Sequence, residues 1–392
     1  MKLKGVLLIL LALFLPISIF VTDVLVFSLA ILWLVEGNLS LKWMKIKQSK
    51  WMLSLLFLLV IYVIGTLWGI HHSQATWILQ KSAILLLLPI LYTFDFSDKQ
   101  IKNSLYAFVF SMTLSSVIAL LINLNWIKHL FKYSDIFVKS WSNPAFMTYT
   151  DHNVFLAFSI LVCSIYCFHS VIVKRQFFPL LIVMVLLVLS LFTENGRAGQ
   201  IAFLAGIGIF FAVSFWHKKI VLVFSLLSLV SILVLSYNFS SAFNSRIHQT
   251  FKQSQQLEKE KTNSLNTRFY LTKYTLEKLK DKPIMGFGTG SFVQEFSSVS
   301  EHATQILENK HKTPHNNYLF IWFELGLLGL LTFIAIFYFQ IQELYKQPLG
   351  KFRVIFPIMF LIIMLFDTYF QNHNSAVAYA YLSFVFAFYS FK

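Results

Sequence analysis

Three cationic side chains stand where a helix is about to begin. Arg197 lies in "TENGRAG" (193–199), a short polar turn between the apolar runs "FFPLLIVMVLLVLSLF" and "QIAFLAGIGIFFAVSF". Arg268 lies near the start of "SLNTRFYLTKYTLEKLK" (264–280). His315 precedes the apolar run of "HKTPHNNYLFIWFELGLLGLL" (311–331). The first turn of a helix has unsatisfied N–H groups and the positive end of the dipole, so it favours an anion. A guanidinium there adds a planar fork suited to phosphate oxygens. The same field disfavours an imidazolium, so His315 is expected to be neutral and able to accept a proton. The plain alternatives are an interfacial Arg that snorkels to lipid headgroups and a spectator His.

The elements that would hold these residues are membrane helices. The chain has 392 residues, of which 57% are hydrophobic and 12% charged, with mean hydropathy +0.68; an average soluble chain is about a quarter charged. Runs long enough to cross a hydrocarbon core recur from end to end. They predict about twelve spans, at 5–21, 22–36, 51–70, 77–94, 104–123, 151–172, 178–193, 199–216, 220–236, 316–338, 354–371 and 375–390. The first has no small-residue cleavage site followed by a soluble domain, so it is expected to be a retained span rather than a signal peptide. Cys163 and Cys167 share one helix face as packing residues, with neither a disulfide nor a zinc pattern. The 43 Phe residues are expected to reflect codon bias or lipid-facing packing.

With the N-terminus in the cytoplasm, the inside segments hold the basic clusters at 2–4, 42–50, 99–102, 174–175, 218–219 and 346–353. The short outside segments hold only Lys128, Lys132, Lys139 and Arg197. That bias sets the orientation, with both termini inside. The net charge of +15 is then mostly anchoring against anionic lipid, and no nucleic-acid partner is expected. Three parts follow: spans one to nine (1–236), an outer loop domain (237–315) and spans ten to twelve (316–392). Within the loop, 245–263 is a polar surface stretch, and 264–280 an amphipathic helix with Leu265, Phe269, Leu276 and Leu279 near helical spacing. "MGFGTGSF" (285–292) is a weak phosphate-loop candidate and more simply a flexible turn. Pro314 suits a first turn, and Asn316 or Asn317 can cap it.

Charges within spans are functional candidates by default. Lys81 lies about one turn into the fourth span and could add a cation; Glu324, about 13 Å into the tenth, suits hydrogen bonding beside Gly326 and Gly329. Asp367, near Asn372 and His373, and the pair Asp151 and His152 could line an acceptor cleft or cap helices at the interface.

"NGRAGQIAFLAG", "TRFYLTKYTLEKLKDKPIMGFGTGSF" and "PHNNYLFIWFELGLLGLL" together resemble the O-antigen ligase family, over roughly 190–331. Gly196 stands where that family usually has Ser. The resemblance implies an all-α, GT-C-like protein of a bacterial inner membrane with its site on the periplasmic side. It implies a glycosyltransferase that moves a glycan from a polyprenyl diphosphate carrier to a hydroxyl of lipid A–core. Arg197 and Arg268 would stabilise the diphosphate, and His315 would orient the acceptor or take its proton. Lys81, Asn316, Asp151, His152 and Asp367 are the lower-ranked substrate residues. No paired Asp motif occurs in the outer segments, so transfer without metal or cofactor, with inversion, is expected. An O-antigen polymerase or a protein O-oligosaccharyltransferase of the same family is the alternative. From another class, a transporter or flippase for an anionic lipid-linked substrate would place its charges near the midplane.

Overall fold

The computed structural model describes residues 3–69, 72–124, 126–127, 145–173, 177–255, 264–308 and 312–391. The expected outer cations Lys128, Lys132 and Lys139, the inner pair Lys174 and Arg175, and residues 256–263 of the polar stretch lie outside these residues. Among the described residues all regular structure is helical.

The helices run in order α1 (Leu3–Phe14), α2 (Ile19–Val35), α3 (Leu39–Gln48), α4 (Lys50–Gly65), α5 (His72–Ala83), α6 (Leu87–Thr93), α7 (Asp98–Asn123), α8 (Tyr149–Val173), α9 (Phe177–Thr193) and α10 (Arg197–Phe215). They continue as α11 (Lys219–Phe239), α12 (Ser241–Gln255), α13 (Ser264–Leu279), α14 (Phe292–Ser297), α15 (Glu301–Glu308), α16 (Asn317–Tyr345), α17 (Gly350–Arg353), α18 (Ile355–Ile363) and α19 (His373–Phe388). Ser18, Ser49 and Asn316 cap α2, α4 and α16 with their side-chain oxygens, and Ser97 and Gln100 form a reciprocal capping box on α7.

Among the described residues six stretches are long and apolar enough to cross a membrane: Gln74–Thr93, Asp98–Asn123, Tyr149–Phe168, Arg197–Phe215, Lys219–Phe239 and Asn317–Tyr345. The pair α2 and α3, bent by 112°, makes a possible seventh, and α1, α4 and α9 are shorter apolar helices. The protein is therefore a multi-pass membrane protein. The sequence places a full span at 354–371, but α18 stops at Ile363 and the chain unwinds before α19. The tenth predicted span is longer than expected and is broken at Gly326.

α19 lies at the centre of the bundle. Every residue from Asn374 to Phe386 is buried, as expected of a helix that is apolar all round. Much of the phenylalanine content packs here rather than toward lipid, correcting the sequence expectation. Phe337, Phe360 and Phe370 surround Tyr379, with ring centroids 5.5, 4.9 and 5.2 Å away. The Tyr379 hydroxyl donates to Gln340 Oε1 at 2.9 Å, and Gln340 Nε2 donates to Ser383 Oγ at 2.9 Å, so the buried polar groups satisfy one another. Cys163 and Cys167 are free thiols, as expected.

The glycine-rich turn 285–292 is a structural wedge. Gly326 has φ 65° and ψ −165°, a region open essentially to glycine alone, and the α16 backbone breaks there. The break frees the carbonyls of Phe323 and Glu324 and the N–H of Leu327. Phe287 N–H donates to Phe323 O at 2.8 Å and Gly288 N–H to Glu324 O at 2.8 Å, while Leu327 N–H donates to Ile284 O at 2.9 Å. The turn also grips α4: Thr289 N–H donates to Gly65 O at 3.0 Å, and Thr289 Oγ1 to Tyr62 O at 2.7 Å. Glu324, fully buried, accepts from Gly290 N–H at 3.1 Å, which agrees with the structural role its depth suggests. The phosphate-loop reading of this turn is thereby replaced: its N–H groups are spent on protein carbonyls.

A Cβ at position 326 would lie 2.0 Å from Ile284 O, whereas one at Gly208 meets nothing within 4 Å. Gly326→Ala should lose about 1–3 kcal/mol and Gly208→Ala should change stability by less than about 0.5 kcal/mol, as read from thermal unfolding in detergent.

Candidate functional site

Arg197 is the first residue of α10, and the turn before it is held by the first turn of α8. Three successive α8 residues reach in different directions. Asp151 accepts from Asn372 Nδ2 at 3.0 Å, Asn374 Nδ2 at 3.3 Å and Thr148 Oγ1 at 3.1 Å. His152 Nδ1 donates to Glu194 Oε1 at 2.8 Å, and its Nε2 lies 2.9 Å from Ser115 Oγ. Asn153 Nδ2 donates to Leu191 O at 3.3 Å and Gly196 O at 3.1 Å. Gln200 Nε2 adds bonds to Leu191 O and Glu194 O. A Cβ at position 196 would come within 2.5 Å of the Asn153 side chain. That explains the glycine where the resembling family usually has Ser: Asn153 fills the space.

The guanidinium held by this scaffold is poorly matched inside the protein. Arg197 Nε and Nη2 are buried with no hydrogen-bond partner, and so is Arg246 Nε on α12. Arg246 and Arg268 both lie within electrostatic reach of Arg197. Three like charges converge, and none of them forms an ion pair among the described residues. An uncompensated buried charge is costly, and no carboxylate among the described residues pairs with these guanidiniums. The sequence missed Arg246. Its stretch reads as a polar surface segment with no helix mouth at Arg246, and the packing of α12 beside α9 brings it here.

His315 belongs to the same neighbourhood through Asp367. Its Nδ1 donates to Asp367 Oδ1 at 2.8 Å. Asp367 lies in the unwound segment between α18 and α19 and also accepts from Thr368 N–H at 2.8 Å. His315 itself has φ 51°, a strained conformation for a non-glycine residue. Its neighbours hold it. Asn316 is the N-cap, with Oδ1 accepting from Leu319 N–H at 3.1 Å. Asn317 N–H donates to Met364 O at 2.9 Å, and its Oδ1 accepts from Phe370 N–H at 3.0 Å. Pro314 therefore precedes the cap and is outside the first turn. A carboxylate that accepts from Nδ1 fixes the tautomer and orientation of the ring.

Burial pushes the Asp367 carboxyl up, but the His315 bond and charge, the Thr368 N–H and the charge of Arg268 together hold it below the usual carboxylate range. Arg268 thus faces both Arg197 and the His315–Asp367 pair. Lys81 stands at the edge, stacked on Trp77 at 4.2 Å, with Lys312 over the same ring at 5.8 Å and Asp151 within electrostatic reach. Among the sequence candidates, Arg197, Arg268, His315 and Asp367 are brought together with Lys81 nearby. Asp151 and His152 are buried and hydrogen-bonded to other side chains on both polar atoms, and Asn316 caps α16. The apolar cleft of about 600 Å³ among α8, α9, α10 and α11, lined by Phe203, Ile207, Phe210 and Leu229, contains none of these residues.

Fold and site together define a multi-pass helical membrane protein with a cluster of arginines beside a histidine–carboxylate pair. Residues 182–334, which include Arg197, Arg246, Arg268 and His315, match the family described as O-antigen ligase, in agreement with the resemblance seen in the sequence. A candidate polysaccharide ligase of Rickettsia typhi is 33% identical over 89 residues, 22% of each chain, and one of Rickettsia conorii is 30% identical over 91 residues, again 22% of each. An uncharacterized protein of Haemophilus influenzae is 25% identical over 266 residues, 65% of this chain and 63% of that one. The chain thus spans about a fifth of the length of the rickettsial relatives it matches.

The Asp367 carboxyl is lower in the folded than in the unfolded protein, so its contribution is complete above the unfolded value near about 4 and is lost as pH falls through the folded value. Thermal unfolding in detergent between about pH 3 and 7 should show this acid loss in wild type, and Asp367→Asn should flatten that limb.

Proposed function

We propose that this protein is a polysaccharide ligase. It transfers a glycan from a polyprenyl diphosphate carrier to a hydroxyl of lipid A–core on the periplasmic face of a bacterial inner membrane. The observation that carries this reading is the meeting of unpaired arginines with the His315–Asp367 pair. The names of the rickettsial relatives support the same activity class. The bent pair α2–α3, the shorter helices α1, α4 and α9, and α18 and α19 would bring the six long stretches to about twelve spans with both termini cytoplasmic, which puts the loop 237–315 and the helix mouths on the outer side. Positions at helix ends favour an enzyme over a transporter, whose charges belong near the midplane.

In this mechanism Arg197 and Arg268 hold the diphosphate and stabilise the charge that develops as it leaves. His315 Nε2 takes the proton of the acceptor hydroxyl while that oxygen attacks the anomeric carbon. Asp367 holds the ring and stabilises the imidazolium, as a carboxylate does behind a catalytic histidine. Direct displacement inverts the anomeric centre. The arginines neutralise the leaving group as a divalent metal does in other glycosyltransferases. Lys81 lies close enough to add to the field at the pocket edge.

Purified protein in detergent, mixed with polyprenyl-diphosphate-linked glycan and lipid A–core in the presence of EDTA, should give a joined product. His315→Ala should lower turnover by about 10²–10⁴, and Arg197→Ala and Arg268→Ala by at least about 10² each. A longer lipid-linked glycan in place of the joined product would mean a polymerase. Folded protein without any transfer would overturn the reading.

A further inference from the structure

The roles given to Arg197, Arg268 and His315 leave Arg246 unused. α12, which carries it, is pinned beside the Arg197 turn. Ser240 Oγ donates to Phe192 O at 2.7 Å, and the Phe192 and Phe243 rings meet edge to face with centroids 5.2 Å apart. Phe192 immediately precedes "TENGRAG". Arg246 follows Phe243 by three residues and so shares its helix face. Its Nη1 is oriented by Gln249 Oε1 at 3.1 Å, while its Nε is buried with no partner. Among the described residues neither Arg246 nor Arg197 has a counter-charge, though the two feel each other.

Resting on the ligase reading above, we propose that Arg246 is a third ligand of the diphosphate, one that serves the leaving group more than the bound donor. The donor is a diphosphate diester, with one negative charge on each phosphate. When the bond between the anomeric carbon and the phosphate oxygen breaks, its electron pair stays on that oxygen. The acceptor oxygen forms the new bond, and its proton goes to His315. The product diphosphate is a monoester whose terminal phosphate has a second ionisation near about pH 6. One further negative charge therefore appears during the step. Arg197 and Arg268 balance the two charges of the donor; Arg246 finds its counter-charge only as the bond breaks. An interaction of that kind raises kcat rather than donor affinity.

The test compares farnesyl diphosphate, a monoester, with its terminal methyl ester, a diester, as ligands of the full-length protein in detergent. Wild type should prefer the monoester by about tenfold or more, the worth of one charge-assisted hydrogen bond. Arg246→Gln should lose most of that preference and change diester affinity by less than about threefold. In turnover, kcat should fall by about 10² with the donor KM little changed, and Arg246→Lys should recover part of the rate. Should Arg246→Gln fail to fold, Arg246→Met carries the same comparison. Equal loss of both ligands, an unchanged preference, or a raised KM at constant kcat would each overturn the role of Arg246. If wild type binds neither ligand, the diphosphate reading itself fails.

Discussion

The broken helix α16 is the constraint on which the rest of the site depends. An unbroken helix would bury its own carbonyls and leave no place for the outer segment to dock. The break at Gly326 exposes Phe323 O and Glu324 O, and residues 284–290 fill them while also reaching the end of α4. Buried backbone groups must be paired, so this is a specific lock rather than a loose contact. α13 ends just before the locked turn and α16 begins just above it. One set of backbone hydrogen bonds therefore fixes Arg268 relative to His315, although 46 residues of chain separate them in "SLNTRFYLTK" and "PHNN".

A second scaffold fixes the other half of the site. In α8, Asp151, His152 and Asn153 tie the chain respectively to the α19 approach, to Glu194 and to the Gly196 carbonyl. The Arg197 turn is thus determined by side chains from a helix more than forty residues earlier. The low-dielectric surroundings make each of these bonds expensive to lose. The arginine at the end of this scaffold keeps two nitrogens, Nε and Nη2, buried and unpartnered.

The histidine illustrates how local rules yield to tertiary contacts. Position alone placed His315 at a helix mouth and gave it no side-chain partner. The fold unwinds the end of the eleventh predicted span and delivers Asp367 to its Nδ1. Apolar composition across 354–371 hides this unwinding, because the segment is buried by protein and not by lipid. Asn317 supplies hydrogen bonds on both sides of the opened backbone, satisfying groups that a straight helix would have paired internally. The same burial by protein explains the phenylalanines around Tyr379, which hydropathy cannot distinguish from lipid-facing ones.

Composition and periodicity determined the helical membrane class, most helix positions and the candidacy of Arg197, Arg268 and His315, because hydrophobic runs and charges at helix mouths are local signals. Tertiary structure decided the rest. Asp151 and His152 are hydrogen-bonded to side chains far away in the chain, among them Asn372 and Glu194. The glycine-rich turn became a wedge because its partner is a break in α16. Arg246 joined the cations because aromatic packing carries α12 onto α9. Each of these outcomes depends on pairing between residues distant in the chain, and a linear pattern holds no record of such pairing.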